Sequence, residues 1–220
     1  MTNTSKEQNV INYYVLCNQL KDTIRTGWQK WNVHRDRLES VAEHVFGVQM
    51  LAIAMKSEYQ YDIDLEKVIL MLAIHELGEA IIGDLTEFQI SHEEKEQREH
   101  AAVHRILAGL IDGDQLEQLF LEFDAHETPE ARFAYHCDKL ECDLQCKLYD
   151  EEGCVDLADQ PGNDIMNDPR VRKLLKTSSS WSAMWLELGR QSYDYDENFL
   201  AVSHYATKHR LRKASTQPLL

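Results

Sequence analysis

Residues 68–82 read Val-Ile-Leu-Met-Leu-Ala-Ile-His-Glu-Leu-Gly-Glu-Ala-Ile-Ile, so His75, Glu76 and Glu79 interrupt an otherwise apolar run. The run has no clean polar face, and a helix made of it is buried on most sides. Asp64 suits the cap at its start, and Gly83 suits its end. A chain folded around this segment buries an imidazole and two carboxylates, which is costly unless each finds a partner. A bound cation is the simplest partner, so metal chemistry is the first functional question. On one continuous helix His75 and Glu79, at i and i+4, share a face, and Glu76 is turned by about 100° from His75 to the edge of the same site.

The 220 residues include 43% hydrophobic side chains, enough for one core of ordinary size. Only nine glycines and four prolines punctuate the chain, which favours helices over sheets. A net charge of −15 argues against nucleic acid polymers and anionic membranes as partners. It leaves room for a small phosphate ester, because a local metal outweighs distant charge. The polar start, Met-Thr-Asn-Thr-Ser-Lys-Glu-Gln, has no signal-peptide core, and no run is long and apolar enough to span a bilayer. Cys17, Cys137, Cys142, Cys146 and Cys154 lack CxxC spacing and read as the reduced thiols of a cytoplasmic protein. Cys137, Cys142 and Cys146 fall on one predicted helix, as small buried hydrophobes.

The pattern predicts a first helix from Gln8 to Ile24, then an irregular stretch from Arg25 to His34. Ser40-Val-Ala-Glu43 is a capping-box spacing that opens a second helix. Charged and apolar sides alternate at helical spacing from His92 to Ala108, and Asp114 to Phe123 is helical again. Thr128-Pro129 starts a helix whose stripe is Phe133, Cys137, Leu140, Leu144 and Leu148. An acidic loop from Glu151 to Asp168 precedes helices from Pro169, from Trp181 to Arg190 and from Asp196 to His209, and the last ten residues form a frayed tail. No strand is predicted.

The string His-Glu-Leu-Gly-Glu from His75 invites comparison with the zinc-protease helix His-Glu-x-x-His, and fails where Glu79 replaces the second histidine. Two distant residues are candidates to complete a donor set. His44 follows Glu43 at the head of an apolar helix, and alone reads as a core or capping histidine. Asp138 flanks the apolar stripe of its helix, and alone reads as a solvated or paired acid. Glu43 reads as the cap partner of Ser40. Taken in order, His44, His75-Glu76 and Asp138 resemble the HD-domain superfamily of metal-dependent phosphohydrolases, with His-Glu where that family has His-Asp. Arg25-Thr-Gly-Trp28, Glu39-Ser-Val-Ala-Glu-His44, His75-Glu-Leu-Gly-Glu79-Ala-Ile-Ile-Gly-Asp84, Glu94-Lys95 with Glu99 and Ala102, and Thr128-Pro-Glu-Ala-Arg-Phe leading to Asp138-Lys139-Leu are similar to its 5′-deoxynucleotidase-like branch. The likeness covers roughly residues 10–150.

This resemblance implies an all-α, single-domain HD-type helical bundle over residues 1–220, with its core at about 10–150, a helical extension over 151–210 and a tail over 211–220. It implies one divalent metal on His44, His75, Glu76 and Asp138. Two imidazoles and two carboxylates suit manganese, cobalt, zinc or ferrous iron. It makes Glu79 the group that assists proton transfer, Asp84 a group that binds substrate or orients water, Arg25 the phosphate partner and Trp28 a wall of the nucleoside pocket. Read from the residues alone, Glu79 also suits support of His75, Asp84 a turn acid, Arg25 a surface ion pair and Trp28 the core. The implied reaction is hydrolysis of a phosphomonoester, first a deoxynucleoside 5′-monophosphate. A non-catalytic metal and nucleotide sensor, and an HD hydrolase acting on another phosphorylated nucleotide, stay open, as do monomer and homodimer. A purely structural helical protein offers the buried acids no partner. His34, His92, His100, His104, His126 and His136 read as surface or packing residues. His100 and His104, at i and i+4, mimic part of a second-metal set, but their helix is strongly charged.

Overall fold

In the computed structural model, which describes residues 5–86 and 89–212, the chain is all-α: the described residues form helices and one isolated antiparallel bridge, with no strand. No helix is long and apolar enough to cross a membrane. Among the described residues two compact units result, 5–27 with 38–86 and 89–137, and 28–37 with 138–212.

In the first unit α1 (Lys6–Asn18) starts at Ser5, whose hydroxyl accepts from Gln8 N. The predicted helix to Ile24 stops early. Asp22 N, Thr23 N and Thr23 Oγ1 all converge on the carbonyl of Gln19, closing a 3₁₀ turn over 19–21. The chain then runs extended. Ile24 pairs with Ser40, Arg25 N donates to Glu39 O at 3.0 Å, and Val41 N donates to Thr23 O at 2.8 Å. Arg25 is thereby pinned beside the head of α3. The stretch predicted to be irregular contains a short helix, α2 (Thr26–Lys30).

α3 (Val41–Tyr59) opens with the capping box that the spacing predicts: Ser40 Oγ accepts from Glu43 N, and Glu43 Oε2 accepts from Ser40 N. α4 (Leu65–Ile74) is capped by Asp64, as expected. The single buried helix expected from there to Gly83 does not form. After Ile74 the backbone bonds shorten to i→i+3, Leu77 N to Ile74 O, Glu79 N to Glu76 O and Ala80 N to Leu77 O, and helix resumes only as α5 (Glu79–Ile82). Gly83 stops it at φ 77°, a conformation that favours a residue without Cβ. α6 (His92–Leu107), α7 (Gly113–Ala125) and the first turns of α8 (Pro129–Glu152) complete the unit. Val41, Ile74, Leu77, Ala80, Val103 and Phe120 share its hydrophobic core.

The second unit gathers aromatic rings. Trp28 meets Tyr149 and Trp181 edge-on, and Trp31 meets Trp181 and Trp185. Around them lie α9 (Pro169–Leu175), α10 (Trp181–Ser192) and α11 (Glu197–Lys208), capped by Asp168, Ser180 and Asp196. Arg190 on α10 donates to Ser203 and Thr207 on α11. All five cysteines are free thiols; of the three on α8 expected to be buried, Cys137 and Cys146 are, while Cys142 is half-buried. Within the expected tail, Leu211 N and Arg212 N are tied to the Glu151 carboxylate; residues 213–220 lie outside the described residues.

The cap of α3 can be removed on its own. Ser40→Ala should lower the unfolding free energy by about 1 kcal/mol, measured by urea titration in chelator.

Candidate metal centre

His75 closes α4, where its Nδ1 lies 2.8 Å from the carbonyl of Leu72. A carbonyl only accepts, so Nδ1 is the donor of this bond and Nε2 is the ring nitrogen turned towards Glu76. Nε2 lies 3.8 Å from Glu76 Oε1. His44, one turn into α3 and fully buried, brings its own Nε2 to 3.7 Å from the same oxygen. One donor atom from each of His44, His75 and Glu76 lies within 4.8 Å of the others. Donors around a single ion at about 2.1 Å stand roughly 3 to 3.5 Å apart, so a small contraction gathers this trio onto one cation. The donor set and the orientation of His75 therefore fit a divalent metal.

Arg25 does not point away into solvent. Its Nη1 is 3.0 Å from Glu76 Oε1, with only 15% of the side chain exposed. The bridge between Ile24 and Ser40 accounts for its position. Asp84 secures the next residue from the other side, accepting from Thr26 N at 2.6 Å on its carboxylate and from Thr26 Oγ1 at 2.6 Å on its carbonyl.

Glu79 is the most costly side chain in the unit. It is 2% exposed, and neither carboxylate oxygen has a hydrogen-bond partner among the described residues. Burial, reinforced by the charges of Glu76 and Asp84, pushes its carboxyl well above the ordinary range, while Arg25 and Lys95 pull the other way. Lys95 Nζ lies 3.7 Å from Glu79 Oε1 and 3.4 Å from Glu99 Oε1. That is too far for a hydrogen bond to Glu79 but close for an ionic interaction. Burial opposes the charge on Lys95, yet Glu76, Glu99, Glu79 and Asp84 outweigh it and hold the ammonium above its ordinary range.

Asp138 and Trp28 belong to the second unit. Asp138 is 4% exposed on α8, with Lys139 Nζ at 2.8 Å. Trp28 is buried among the aromatic rings of its unit, the core position its sequence left open. Lys95 and Glu99 have no role that the sequence alone assigns. A Lys–Glu pair at i and i+4 on a charged helix looks like a solvated ion pair, and nothing local shows that it faces a buried acid. His100 is half-buried and paired with Asp124, and His104 is a surface residue paired with Glu117, in line with their reading as surface or packing residues.

The profile of the family described as HD domain matches residues 17–164. The chain belongs to the HD-domain family. Among its relatives, the 5′-deoxynucleotidase HDDC2 of Danio rerio is 30% identical over 206 residues, covering 88% of this chain and 98% of the relative. The 5′-deoxynucleotidase hdd1 of Schizosaccharomyces pombe is 29% identical over 157 residues, covering 68% and 77%. A conserved hypothetical protein from Pyrococcus furiosus superposes with a TM-score of 0.58 at 27% identity, covering 76% of this chain and 97% of that one. A predicted metal-dependent phosphohydrolase from Magnetospirillum magnetotacticum superposes at 0.60 and 22% identity, covering 92% and 97%, and shows the shared fold.

The state of Glu79 sets a pH dependence. With its carboxyl raised, the folded chain keeps a proton that the unfolded chain releases near the ordinary value of 4.5. Stability from this group is full below that value and is lost as pH rises through the folded value. In chelator, Glu79→Gln should therefore raise the melting temperature at pH 8, with the gain fading towards pH 4.5. A gain that grows on acidification would contradict this assignment.

Proposed function

We propose that this protein is a metal-dependent phosphohydrolase that cleaves a phosphomonoester, a (deoxy)nucleoside 5′-monophosphate, to nucleoside and phosphate. The observation that carries the reading is the convergence of His44, His75 and Glu76 beside a buried carboxyl, Glu79, that has no hydrogen-bond partner of its own among the described residues. The relatives named 5′-deoxynucleotidases at about 30% identity support the substrate class.

His44, His75 and Glu76 would hold one divalent ion with Asp138 as fourth donor. Asp138 is assigned on its burial and on its place in the order of donors. Two imidazoles with two carboxylates suit manganese, cobalt, zinc or ferrous iron. Glutamate in place of aspartate adds a methylene, which Arg25 compensates by clamping Glu76. When bound, the ion polarises a phosphoryl oxygen and acidifies water.

Glu79 moves a proton. A carboxyl with raised affinity is suited to protonate the leaving 5′ oxygen or to accept a proton from the attacking water. Arg25 has five donors in a rigid fork, so it can serve Glu76 and a phosphate oxygen together. Asp84 orients water or a sugar hydroxyl, and its hold on Thr26 keeps Arg25 in register. Trp28 would be a wall of the nucleoside pocket by family resemblance. The family match across 17–164, which includes parts of both units, supports one HD-type domain over 1–220. Free thiols support a cytoplasmic location, and the homodimer stays part of the proposal by family resemblance.

A second reading, a sensor that binds metal and nucleotide without turnover, is favoured by the Arg25–Glu76 ion pair, because that cation competes for a metal ligand. The presence of Glu79 and Asp84 opposes it, since a pure binder has no use for spare acids.

The test is phosphate release from ribo- and deoxyribonucleoside monophosphates, with chelated protein against added manganese, cobalt, zinc and magnesium. Metal-dependent release, abolished in His75→Ala, is expected. Stoichiometric metal binding without release from any substrate would favour the sensor, and failure to bind metal would remove the site.

A further inference from the structure

α6 comes unusually close to the segment that carries Glu79. A Cβ built on Gly78 would lie 3.1 Å from Glu99 Cα and 3.2 Å from Glu99 Cβ and Cγ. Gly78 has an ordinary helical φ of −56°, so space rather than backbone freedom is what glycine supplies there. The close approach is made by Glu99, and Lys95 stands one turn before it on the same helix. Lys95 Nζ sits between Glu99 Oε1 at 3.4 Å and Glu79 Oε1 at 3.7 Å, with 27% of the side chain exposed.

Glu79 needs such a neighbour. Oxygens of Glu76, Glu79 and Glu99 come within 4.8 Å of one another, so the carboxylates repel. Of the two cations that act on Glu79, Arg25 is placed at 3.0 Å from Glu76. Lys95 is the cation that lies beside Glu79 itself. We propose that Lys95 is a positioning residue for the reaction: its ammonium, steered by Glu99, holds the Glu79 carboxylate in place against the repulsion of Glu76 and Asp84. Gly78 permits the approach. Lying between two acids, the ammonium already has its charge matched, which argues against a first role as a phosphate contact. This inference rests on the assignment of Glu79 under the proposed function.

Two measurements test it, one of them independent of turnover. In chelator, Lys95→Met should lower the melting temperature in the parent and by markedly less in a Glu79→Gln background, because the unmatched acid is then gone. In the metal-loaded enzyme Lys95→Met should lower kcat at least about tenfold, with KM and metal affinity held, and Lys95→Arg should recover most of the loss. Glu99→Gln should show a smaller fall of the same kind. Additive melting-temperature changes would overturn the proposal. So would a rise in KM at constant kcat, which makes Lys95 a phosphate contact, or lost metal binding, which makes it structural. A parent protein that turns over no substrate, with the non-additivity intact, would instead overturn the hydrolase reading and with it the catalytic half of this one.

Discussion

Burial of charge within residues 74–82 is the constraint on which the rest of the first unit depends. Ile74, Leu77 and Ala80 enter the hydrophobic core, while His75, Glu76 and Glu79 from the same short stretch form an ionic cluster. One regular helix was expected to present both sets. The backbone instead tightens to i→i+3 bonds over the very residues that carry the chemistry, and the ring of His75 engages the carbonyl of Leu72. A buried carboxylate without a matched cation is expensive, so positive charge has to reach this segment from elsewhere in the chain.

It arrives by two routes. Arg25 is brought from the N-terminal side by a two-bond bridge to the head of α3, and Asp84 holds Thr26 next to it. Lys95 is brought by α6, whose approach depends on the missing side chain of Gly78. A divalent ion would match the trio of His44, His75 and Glu76, and the two basic side chains then serve the acids that flank it. The arrangement keeps Glu79 both buried and proton-hungry, a state that costs stability.

Much of this was readable in advance, because its signals are local. Ser40 with Glu43, Asp64 and Thr128-Pro129 are capping signals, and each caps or opens the helix it predicts. His75, Glu76 and Glu79 were readable as a group because an apolar run seldom tolerates an imidazole and two carboxylates unless a cation offsets their burial, whereas His44 was singled out only by the order it shares with the HD-domain pattern. The break after Ile74 was not readable, since Gly78, the glycine within it, keeps an ordinary helical φ of −56° and the break arises from bonds made within the folded segment. Lys95 and Glu99 were not, since exposed and buried i,i+4 ion pairs are spelled alike. Trp28 had two readings, and its packing on Tyr149 and Trp181 came only with the fold.

By itself the sequence determined the helical class and the helix starts, because capping and hydrophobic periodicity act within a few residues. Only the tertiary structure decided which cation meets which acid. Arg25 is separated from Glu76 by 51 positions, and Lys95 reaches Glu79 from a different helix. Such pairings follow from how helices pack, and packing is a property of the whole chain rather than of any segment of it.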